Sequence, residues 1–516
     1  MTSAPIRVSL LRFAPSMVAL LVVVACANNS ADVDLWGHLR FGTDTLARRH
    51  LAMIDPYAYS IRGLPWINHE WLSEVVLAWS YAKLGVVGLK MVRFACAAIT
   101  VVCLAGAIAE TAAPLGVQMA VMVVVTICIV PEMQFRPQIF TYAFLSATMW
   151  LIARDNFRGR SPLWIAIPLV VAWSNLHGGF VTGIAALGVY SGVTGVTDWY
   201  EGRGLARGTR LDTITAAAIL ASLATPYGFG TWWSVARTIS RPPSLTEILE
   251  WQRLSSAMVV IWNMPGLSKL YDVGIATVMG GLVVSVALAP SADDLPLLAV
   301  AGVMIAAAFS AFRNVPLGMI GSAVPLAHHI SLAIRGRREP AALGEVPPLE
   351  RASTLSQLVV AVLAIVLALK LGIFSRTVSN LYPMPEGAVA FMSDHGLRGN
   401  VLSALVFSDY LLYHRALETH VFIDTRFEMI YPDTVAREYL EFHHGRAHAE
   451  RILDVYPHQF VLIEPDSGAA SLMRTRTDWK LIYKDKDSIL YAHADSAAAH
   501  IPDLPIIATV PPAAFP

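Results

Sequence analysis

Apolar stretches long enough to cross a lipid bilayer recur along the chain as far as residue 374. A helix of roughly 20 apolar residues crosses the hydrocarbon core, where only structures that pair all their own backbone groups are stable. The predicted spans are residues 10–27, 88–110, 115–131, 137–153, 162–176, 178–198, 211–226, 269–289, 295–312, 315–334 and 355–374. We therefore predict a mainly α-helical polytopic membrane protein with about eleven transmembrane helices and additional interfacial helices.

The composition agrees with a chain that lies largely within a lipid bilayer. Hydrophobic residues make up 55% of the 516 residues and charged residues 15%, whereas soluble domains carry about 25% charged residues. The 38 basic and 38 acidic side chains balance, so no net field attracts nucleic acid. The four cysteines lie in apolar stretches and indicate no disulfide framework.

The N-terminus has a pattern that also occurs in cleaved signal peptides. Arg7 and Arg12 precede a short apolar run that ends near Cys26. Because a series of further apolar spans follows, we expect an uncleaved first transmembrane helix.

Residues 69–85 form the segment whose placement decides the topology. They include three charged residues together with Trp and Tyr, a composition that suits the level of the lipid headgroups. If the segment lies in the interface as an amphipathic helix, the Arg-bearing loops 154–160, 201–210 and 334–340 share one side of the membrane. The positive-inside bias favours this placement and puts the N-terminus in the cytoplasm of a bacterial inner membrane.

With this topology, most of the unusual polar residues collect on the outer, periplasmic side. They are Asp32, Asp34, His38, His69, Glu70, Glu132, Arg136, His177 and Arg313. The inner loops hold mostly Arg and Gly, apart from the acidic "SADDLP". Any chemistry is therefore expected on the outer face.

The C-terminal segment differs from the rest of the chain in its pattern. Apolar runs bounded by polar residues, with helical stretches between them, predict strands at 420–424, 459–464 and 479–494. No glycine-rich phosphate loop is present, so nucleotide binding is not expected. We predict a transmembrane domain at 1–375, whose first outer loop is 28–87, and a small extracytoplasmic α/β domain at 376–516.

The first outer loop opens with an acidic pair in "DVDLWGHL". A span leads into this loop, two amphipathic helices lie in it, many spans follow, and a polar domain ends the chain. This layout resembles the GT-C superfamily of polytopic glycosyltransferases, which take sugars from polyprenyl-phosphate carriers. The loop resembles that of the oligosaccharyltransferase catalytic subunit, which implies that Asp34 stands at the essential Asp and Asp32 at its acidic neighbour.

A longer pattern is similar to a bacterial branch of GT-C-like membrane proteins. Its matching stretches are "DVDLWGHL", "DPYAYSIRGLPWINHEWLSEV", "FRPQ", "NLHGGF" and "VFIDTRFEMIYPD". The sequence departs from oligosaccharyltransferases in the second outer loop, where "FRPQ" replaces a short acidic pair and leaves only Glu132. No metal ligands are assigned, and participation of a divalent cation stays open.

Asp34 and Asp32 are the candidate catalytic residues. A carboxylate at the membrane edge suits a general base that deprotonates an acceptor while the lipid-linked phosphate leaves; the alternative is a solvated turn and helix cap. His38 lies one helical turn after Asp34. His69 and Glu70 either complete a site with the acidic pair or cap the interfacial helix, and no spacing here is diagnostic of zinc.

The other candidates would bind substrate. Arg93 lies inside a predicted span, where a charge is costly and often functional, although snorkelling to the headgroups is the alternative. Arg136 and Arg313 could grip a phosphate with two hydrogen bonds each or contact lipid headgroups. Glu132 and His177 belong to the same outer edge, and a packed structural role is the alternative for His177.

The sequence thus predicts an inverting GT-C glycosyltransferase, with inversion implied by the resemblance alone. Its predicted partners are a polyprenyl-phosphate-linked sugar donor, membrane lipids and an acceptor whose identity stays open, as does the sugar. A lipid or polysaccharide transporter and a non-catalytic assembly protein are the alternatives. A transporter would need polar residues along a route with features on both faces.

Overall fold

The chain forms two compact units in the computed structural model. The model describes residues 14–26, 29–159, 161–240, 243–264, 268–336, 362, 364, 366, 368–370, 375–416 and 418–501. The helical unit comprises Met1–Asn29, Lys90–Gly228 and Ile248–Ser375. The mixed unit comprises Ser30–Leu89, Phe229–Glu247 and Arg376–Pro516.

Most described residues lie in α-helices, and the strands are short. The helices are α1 (Ala14–Ala25), α2 (Asp34–Arg48), α3 (Trp71–Leu84), α4 (Val86–Ala109), α5 (Leu115–Ile129), α6 (Gln138–Arg158), α7 (Ala166–Leu176), α8 (Phe180–Tyr200), α9 (Ala206–Ala221), α10 (Phe229–Ile239), α11 (Leu254–Trp262), α12 (Ser268–Leu288), α13 (Leu295–Ser310), α14 (Val315–Gly336), α15 (Glu386–Asp394), α16 (Leu405–Arg415), α17 (Phe427–Ile430), α18 (Asp433–His444), α19 (Arg451–Val455) and α20 (Gly468–Met473). The strands are β1 (Ser30–Ala31), β2 (Ser379–Asn380), β3 (Gly399–Ser403), β4 (Thr419–Val421), β5 (Phe460–Ile463), β6 (Trp479–Lys484) and β7 (Ile489–His493).

The helical unit contains the long apolar helices. Five helices among the described residues are long and apolar enough to cross a membrane: Val86–Ala109, Leu115–Glu132, Phe180–Tyr200, Lys269–Leu288 and Phe312–Gly336. Two shorter apolar helices, Leu163–Leu176 and Leu295–Ser310, accompany them. The mainly helical class is confirmed, whereas the count of eleven spans stays a prediction. Most of the predicted span 355–374, and residues 10–13 and 27 of the first span, lie outside the described residues.

Helix α14 forms the centre of the helical unit, and small residues bring it close to α13. A Cβ added at Gly321 would lie 3.0 Å from the Cβ of Met304, and one at Gly318 would lie 3.1 Å from the Cβ of Ala308. Glycines at such contacts let helix backbones approach closely in a membrane, where apolar burial alone does not drive association. Packing of these small residues therefore holds α14 in place.

A buried carboxylate ties three helices together at the loops that the sequence analysis places in the cytoplasm. Asp155 on α6 is fully buried and accepts hydrogen bonds from Arg207 Nη2 at 3.2 Å, Arg210 Nη2 at 2.5 Å and the Tyr190 hydroxyl at 3.0 Å. Some of the positive charge of these loops is thus compensated within the protein.

The mixed unit is built on a five-stranded sheet in the order β4-β3-β5-β7-β6. Strands β4, β3 and β5 run parallel, while β7 is antiparallel to both β5 and β6. The central strand β5 is buried throughout, as expected for a parallel strand covered on both faces. The predicted strand regions correspond to β4, β5 and the β6–β7 hairpin, whereas β3 was not predicted.

Residues of the first outer loop pack with the C-terminal segment inside the mixed unit. Strand β1, directly before α2, pairs in parallel with β2, so that Ser30 faces Ser379 and Ala31 faces Asn380. The sequence analysis describes residues 28–87 as a loop of the transmembrane domain. The contacts instead group residues 30–89 with the segment after residue 375, because buried charges and strand pairing join them.

Helices α2 and α3 approach each other closely through a glycine. A Cβ added at Gly42 on α2 would lie 2.1 Å from the backbone oxygen of Glu74 on α3. Helix α3 has 14 residues, and its length of about 21 Å is shorter than a bilayer core of about 30 Å. This length favours an interfacial helix for residues 69–85, and that placement stays a prediction.

A fully buried arginine joins the first loop to the sheet. Arg426 forms ion pairs with Asp424 and, at 2.7 Å, with Asp55. Three aromatic rings surround its guanidinium, whose Cζ lies 4.6 Å from the ring centre of Phe41, 5.3 Å from Tyr57 and 4.5 Å from Trp66. Buried charges are tolerated when they are paired and hydrogen-bonded, so this cluster stabilises one specific packing of the mixed unit.

Candidate functional site

The acidic pair marks the start of α2. Asp34 is the first residue of the helix, and the buried carboxylate of Asp32 accepts a hydrogen bond from its backbone N–H at 3.2 Å. Asp32 therefore satisfies one of the donors that a helix leaves unpaired at its N-terminus. Asp34 itself is partly buried.

His38, predicted to lie one turn along α2, is buried and faces α3. Its Nδ1 lies 3.5 Å from Oε1 of Glu74. Asn68 donates a hydrogen bond from Nδ2 to the other carboxylate oxygen of Glu74 at 2.6 Å. The side chain of Glu74 is 1% exposed, so a carboxylate is held inside the protein by a histidine and an amide.

Glu70 completes a compact group with these two residues. One ligand atom each from His38, Glu70 and Glu74 lie within 4.8 Å of one another, and all three residues are buried. Burial acts to lower the pKa of His38, but the hydrogen bond with Glu74 and the charges of Glu70, Glu74 and Asp34 outweigh it and raise the pKa to about 9. The group therefore attracts positive charge, either a proton or a cation.

His69, the remaining candidate of the first loop, points to another partner. Its Nδ1 lies 3.4 Å from the hydroxyl of Ser234 on α10. This contact connects the end of the first loop to α10, and His69 is not among the three clustered ligands. The side chains of the adjacent residues His69 and Glu70 therefore contact different groups.

A second buried carboxyl group lies against α2 at Gly37. A Cβ added at Gly37 would be 2.4 Å from Oδ2 of Asp409 on α16, so a glycine is required at this contact. Burial, followed by the charge of Asp424, raises the pKa of Asp409 well above its ordinary value. Trp36 also packs on α16, with its ring 4.8 Å from that of Tyr410. These contacts set the position of the helix that begins at Asp34.

In the helical unit, the side chain of Arg93 contacts other residues of the protein. Its side chain is almost fully buried and donates a hydrogen bond to the backbone oxygen of Cys26 at 3.2 Å. Its Cζ lies 4.2 Å from the ring centre of Phe135. Arg93 therefore stabilises the packing of α1, α4 and the segment before α6, whatever further role it has.

Two further candidate arginines, Arg136 and Arg313, both act on the carboxylate of Glu250. Arg136 Nη1 lies 2.8 Å from Oε1 of Glu250. Arg313 stacks on the adjacent residue, with its Cζ 4.4 Å from the ring centre of Trp251. Burial acts to raise the pKa of Glu250, but the charges of Arg136 and Arg313 lower it below its ordinary value. We call Arg136 and Arg313 together the arginine cluster.

His177 and Glu132 lie at neighbouring corners of the same unit. Nδ1 of His177 accepts hydrogen bonds from the Thr141 hydroxyl at 2.7 Å and from the Gly179 N–H at 2.9 Å. These bonds agree with the packed structural role that the sequence left as the alternative. Glu132 ends a short 3-10 turn and is partly buried.

Sequence reasoning did not select Glu74 or Asn68 as site residues, and it did not predict that Glu250 pairs with Arg136. Glu74 follows Glu70 by four residues, a spacing that places both carboxylates on one helical face, so this signal was available. The partnership of Glu250 with Arg136 spans 114 residues and leaves no local signature.

No known family profile and no curated protein sequence matches the chain. Solved structures do match its fold. Oligosaccharyltransferase from Archaeoglobus fulgidus in its apo form is 11% identical with a TM-score of 0.55, and the alignment covers 94% of this chain and 74% of that one. The same enzyme tethered to an acceptor peptide with an NVT sequon is 12% identical with a TM-score of 0.50, covering 93% and 74%.

ArnT from Cupriavidus metallidurans bound to undecaprenyl phosphate is also similar, at 12% identity and a TM-score of 0.46, with 94% of this chain and 98% of that chain covered. At such sequence identities the similarity concerns the fold alone, and it rests on the two oligosaccharyltransferase structures. This chain therefore shares the fold of the oligosaccharyltransferase structures from Archaeoglobus fulgidus.

Proposed function

We propose that this protein is an inverting glycosyltransferase that moves a sugar from a polyprenyl-phosphate carrier to an acceptor. The observation that carries the proposal is the acidic start of α2 in a chain of GT-C fold. Asp34 is the first residue of the helix and is partly buried, and Asp32 accepts a hydrogen bond from its backbone N–H. A cap alone would not need the second carboxylate.

In the proposed reaction, the carboxylate of Asp34 takes the proton of an acceptor hydroxyl or amide. The acceptor atom then forms a bond to the anomeric carbon of the sugar from the face opposite the phosphate. The bond between the anomeric carbon and the phosphate oxygen breaks, and polyprenyl phosphate leaves with the bonding electrons. General bases of this kind contribute about 10²–10⁴-fold to a rate.

The arginine cluster is the proposed site for the donor phosphate. The leaving phosphate gains negative charge as its bond to the sugar breaks, and fixed cationic donors lower the energy of such a transition state. Arg136 pairs with the carboxylate of Glu250 at 2.8 Å, and the charge of Arg313 acts on the same carboxylate, which supports an anion site here. Arg93 is proposed only to support this region, because its guanidinium is buried against Cys26 and Phe135.

We place the reaction on the periplasmic face of a bacterial inner membrane. The support comes from the Arg-bearing loops on the opposite side, which the positive-inside bias assigns to the cytoplasm. The C-terminal part of the mixed unit would then face the periplasm and help to select the acceptor.

A divalent cation would bind at His38, Glu70 and Glu74. One nitrogen and two carboxylate oxygens suit Zn²⁺ or Mn²⁺, and a bound cation would supply positive charge beside Asp34. After exposure to these metals and desalting, we expect about one metal ion per chain by plasma mass spectrometry. His38→Ala and Glu70→Gln should remove most of it, whereas His443→Ala, at a partly exposed His–Glu contact of 3.9 Å, should not.

Wild-type protein without bound metal after this treatment would contradict the cation site. The group would then be an ion pair in which protonated His38 compensates Glu74. Asp34 and the arginine cluster would keep their proposed roles in that case, since neither depends on the cation.

The donor class can be tested by purifying the protein with its native lipids and searching for a polyprenyl-phosphate sugar by mass spectrometry. We expect such a carrier in the wild type and its loss in Arg136→Ala and Arg313→Ala. Carrier retained by both variants would contradict the assigned phosphate site. Ordinary phospholipids alone, in folded protein supplied with candidate carriers, would favour a transporter or an assembly protein.

A further inference from the structure

The carboxylate of Glu250 occupies the place where the arginine cluster would hold a phosphate. Glu250 lies in a short 3-10 turn, Leu249–Trp251. Arg136 donates to it at 2.8 Å, and Arg313 lies over the ring of the next residue. A carboxylate and a phosphate present arginine with similar pairs of anionic oxygens, so one can replace the other.

Both arginines of the cluster lie in segments that directly precede a helix. Arg136 stands two residues before α6, and Arg313 lies in a 3-10 turn directly before α14. The N–H of Phe312 donates to the backbone oxygen of Gln252 at 2.9 Å. This bond fixes the turn that carries Arg313 to the segment that carries Glu250.

Two further observations indicate that this place receives a ligand. The side chain of Glu250 is 34% exposed and that of Arg136 is 11% exposed, so Glu250 is the more solvent-accessible member of the pair. Beside Phe312, the buried Tyr271 carries a hydroxyl that makes no hydrogen bond among the described residues. A buried hydroxyl without a partner is costly, and a ligand oxygen would satisfy it.

We propose that Glu250 is an internal competitor that fills the phosphate site of the resting protein and is displaced when the phosphate group of a polyprenyl carrier binds. The proposal rests on the donor site assigned above. Exchange of one anion for another keeps both arginines compensated at every stage, which matters because an unpaired buried charge is strongly destabilising. Glu250 thus weakens donor binding and keeps the empty site intact.

The test measures binding of farnesyl phosphate to the full-length protein in detergent by calorimetry. Removal of an internal competitor raises the fraction of binding-competent protein, so Glu250→Gln should bind about tenfold more tightly or better. Glu250→Asp, whose side chain is one methylene shorter, should give a smaller gain. The matched control is Glu247→Gln, which loses an exposed ion pair with Arg446 and should bind like the wild type.

Binding of inorganic phosphate and of phosphatidic acid is measured beside that of farnesyl phosphate, to distinguish a polyprenyl carrier from free phosphate and from a lipid headgroup. A gain in Glu250→Gln that Arg136→Ala abolishes supports the proposal. Equal binding of farnesyl phosphate to wild type and to both Glu250 variants, lost in Arg136→Ala, overturns it and leaves the donor site standing. A gain for inorganic phosphate or phosphatidic acid without any binding of farnesyl phosphate keeps Glu250 as a competitor for anions and overturns both the polyprenyl carrier and the proposed function.

Discussion

Asp34→Asn should abolish sugar transfer while the protein remains folded. The amide keeps the size of the side chain at the start of α2 but cannot take the acceptor proton. Loss of a general base slows a reaction by about 10²–10⁴-fold. The measurement is the release of polyprenyl phosphate from synthetic polyprenyl-phosphate sugars, chosen to match the carrier found with the purified protein.

The control for this substitution is Asp44→Asn on the same helix. Asp44 accepts a hydrogen bond from the Tyr57 hydroxyl at 2.7 Å and pairs with Arg40 at 3.0 Å, so its loss should affect stability more than rate. Substantial transfer by folded Asp34→Asn would place the base elsewhere. Absence of transfer by the wild type with every carrier would favour the transporter or the assembly protein.

Arg426→Ala should be the most destabilising single substitution in the mixed unit. It leaves Asp55 and Asp424 buried without their shared cation and opens a cavity between Phe41 and Trp66. Breaking a buried ion pair by removing one partner costs about 3–5 kcal/mol. Pulse proteolysis of the full chain in increasing urea, scored by the survival of the mixed unit, measures the change in its free energy of unfolding.

Arg398→Ala provides the matched control for a lost arginine. The side chain of Arg398 is 70% exposed and pairs with Glu418 at 3.2 Å, a contact worth about 0–1 kcal/mol in exposed settings. Arg426→Lys should fall between the two, because it keeps the charge and loses the planar guanidinium. If Arg426→Ala were as stable as Arg398→Ala, the aromatic rings would suffice to hold the loop.

The helices of the helical unit could be predicted because their signal is local. An apolar run of membrane length fixes a helix within a few residues, as for the predicted span 88–110, found as Val86–Ala109, and 178–198, found as Phe180–Tyr200. The same locality placed Asp34 and His38 on one helix. Periodicity and hydropathy need only neighbouring residues, so one sequence contains the whole signal.

The partners of the charged residues could not be predicted in this way. Arg136 was expected at an outer corner, but its pairing with Glu250 depends on the packing of segments 114 residues apart. The ion pair between Asp55 and Arg426, which joins the first loop to the C-terminal segment, could not be predicted for the same reason. Such pairs depend on tertiary packing, and nothing in their local sequence marks them.

The strand pairing and ion pairs of the mixed unit bear on how the protein is made. Asp55 and Arg426 are separated by 371 residues. Strand β1 cannot pair until β2 has been synthesised, which happens after the helical unit. At about 5–20 residues per second, translation leaves the segment with Asp32 and Asp34 without these partners for tens of seconds. The candidate catalytic loop is therefore synthesised first but gains these contacts last.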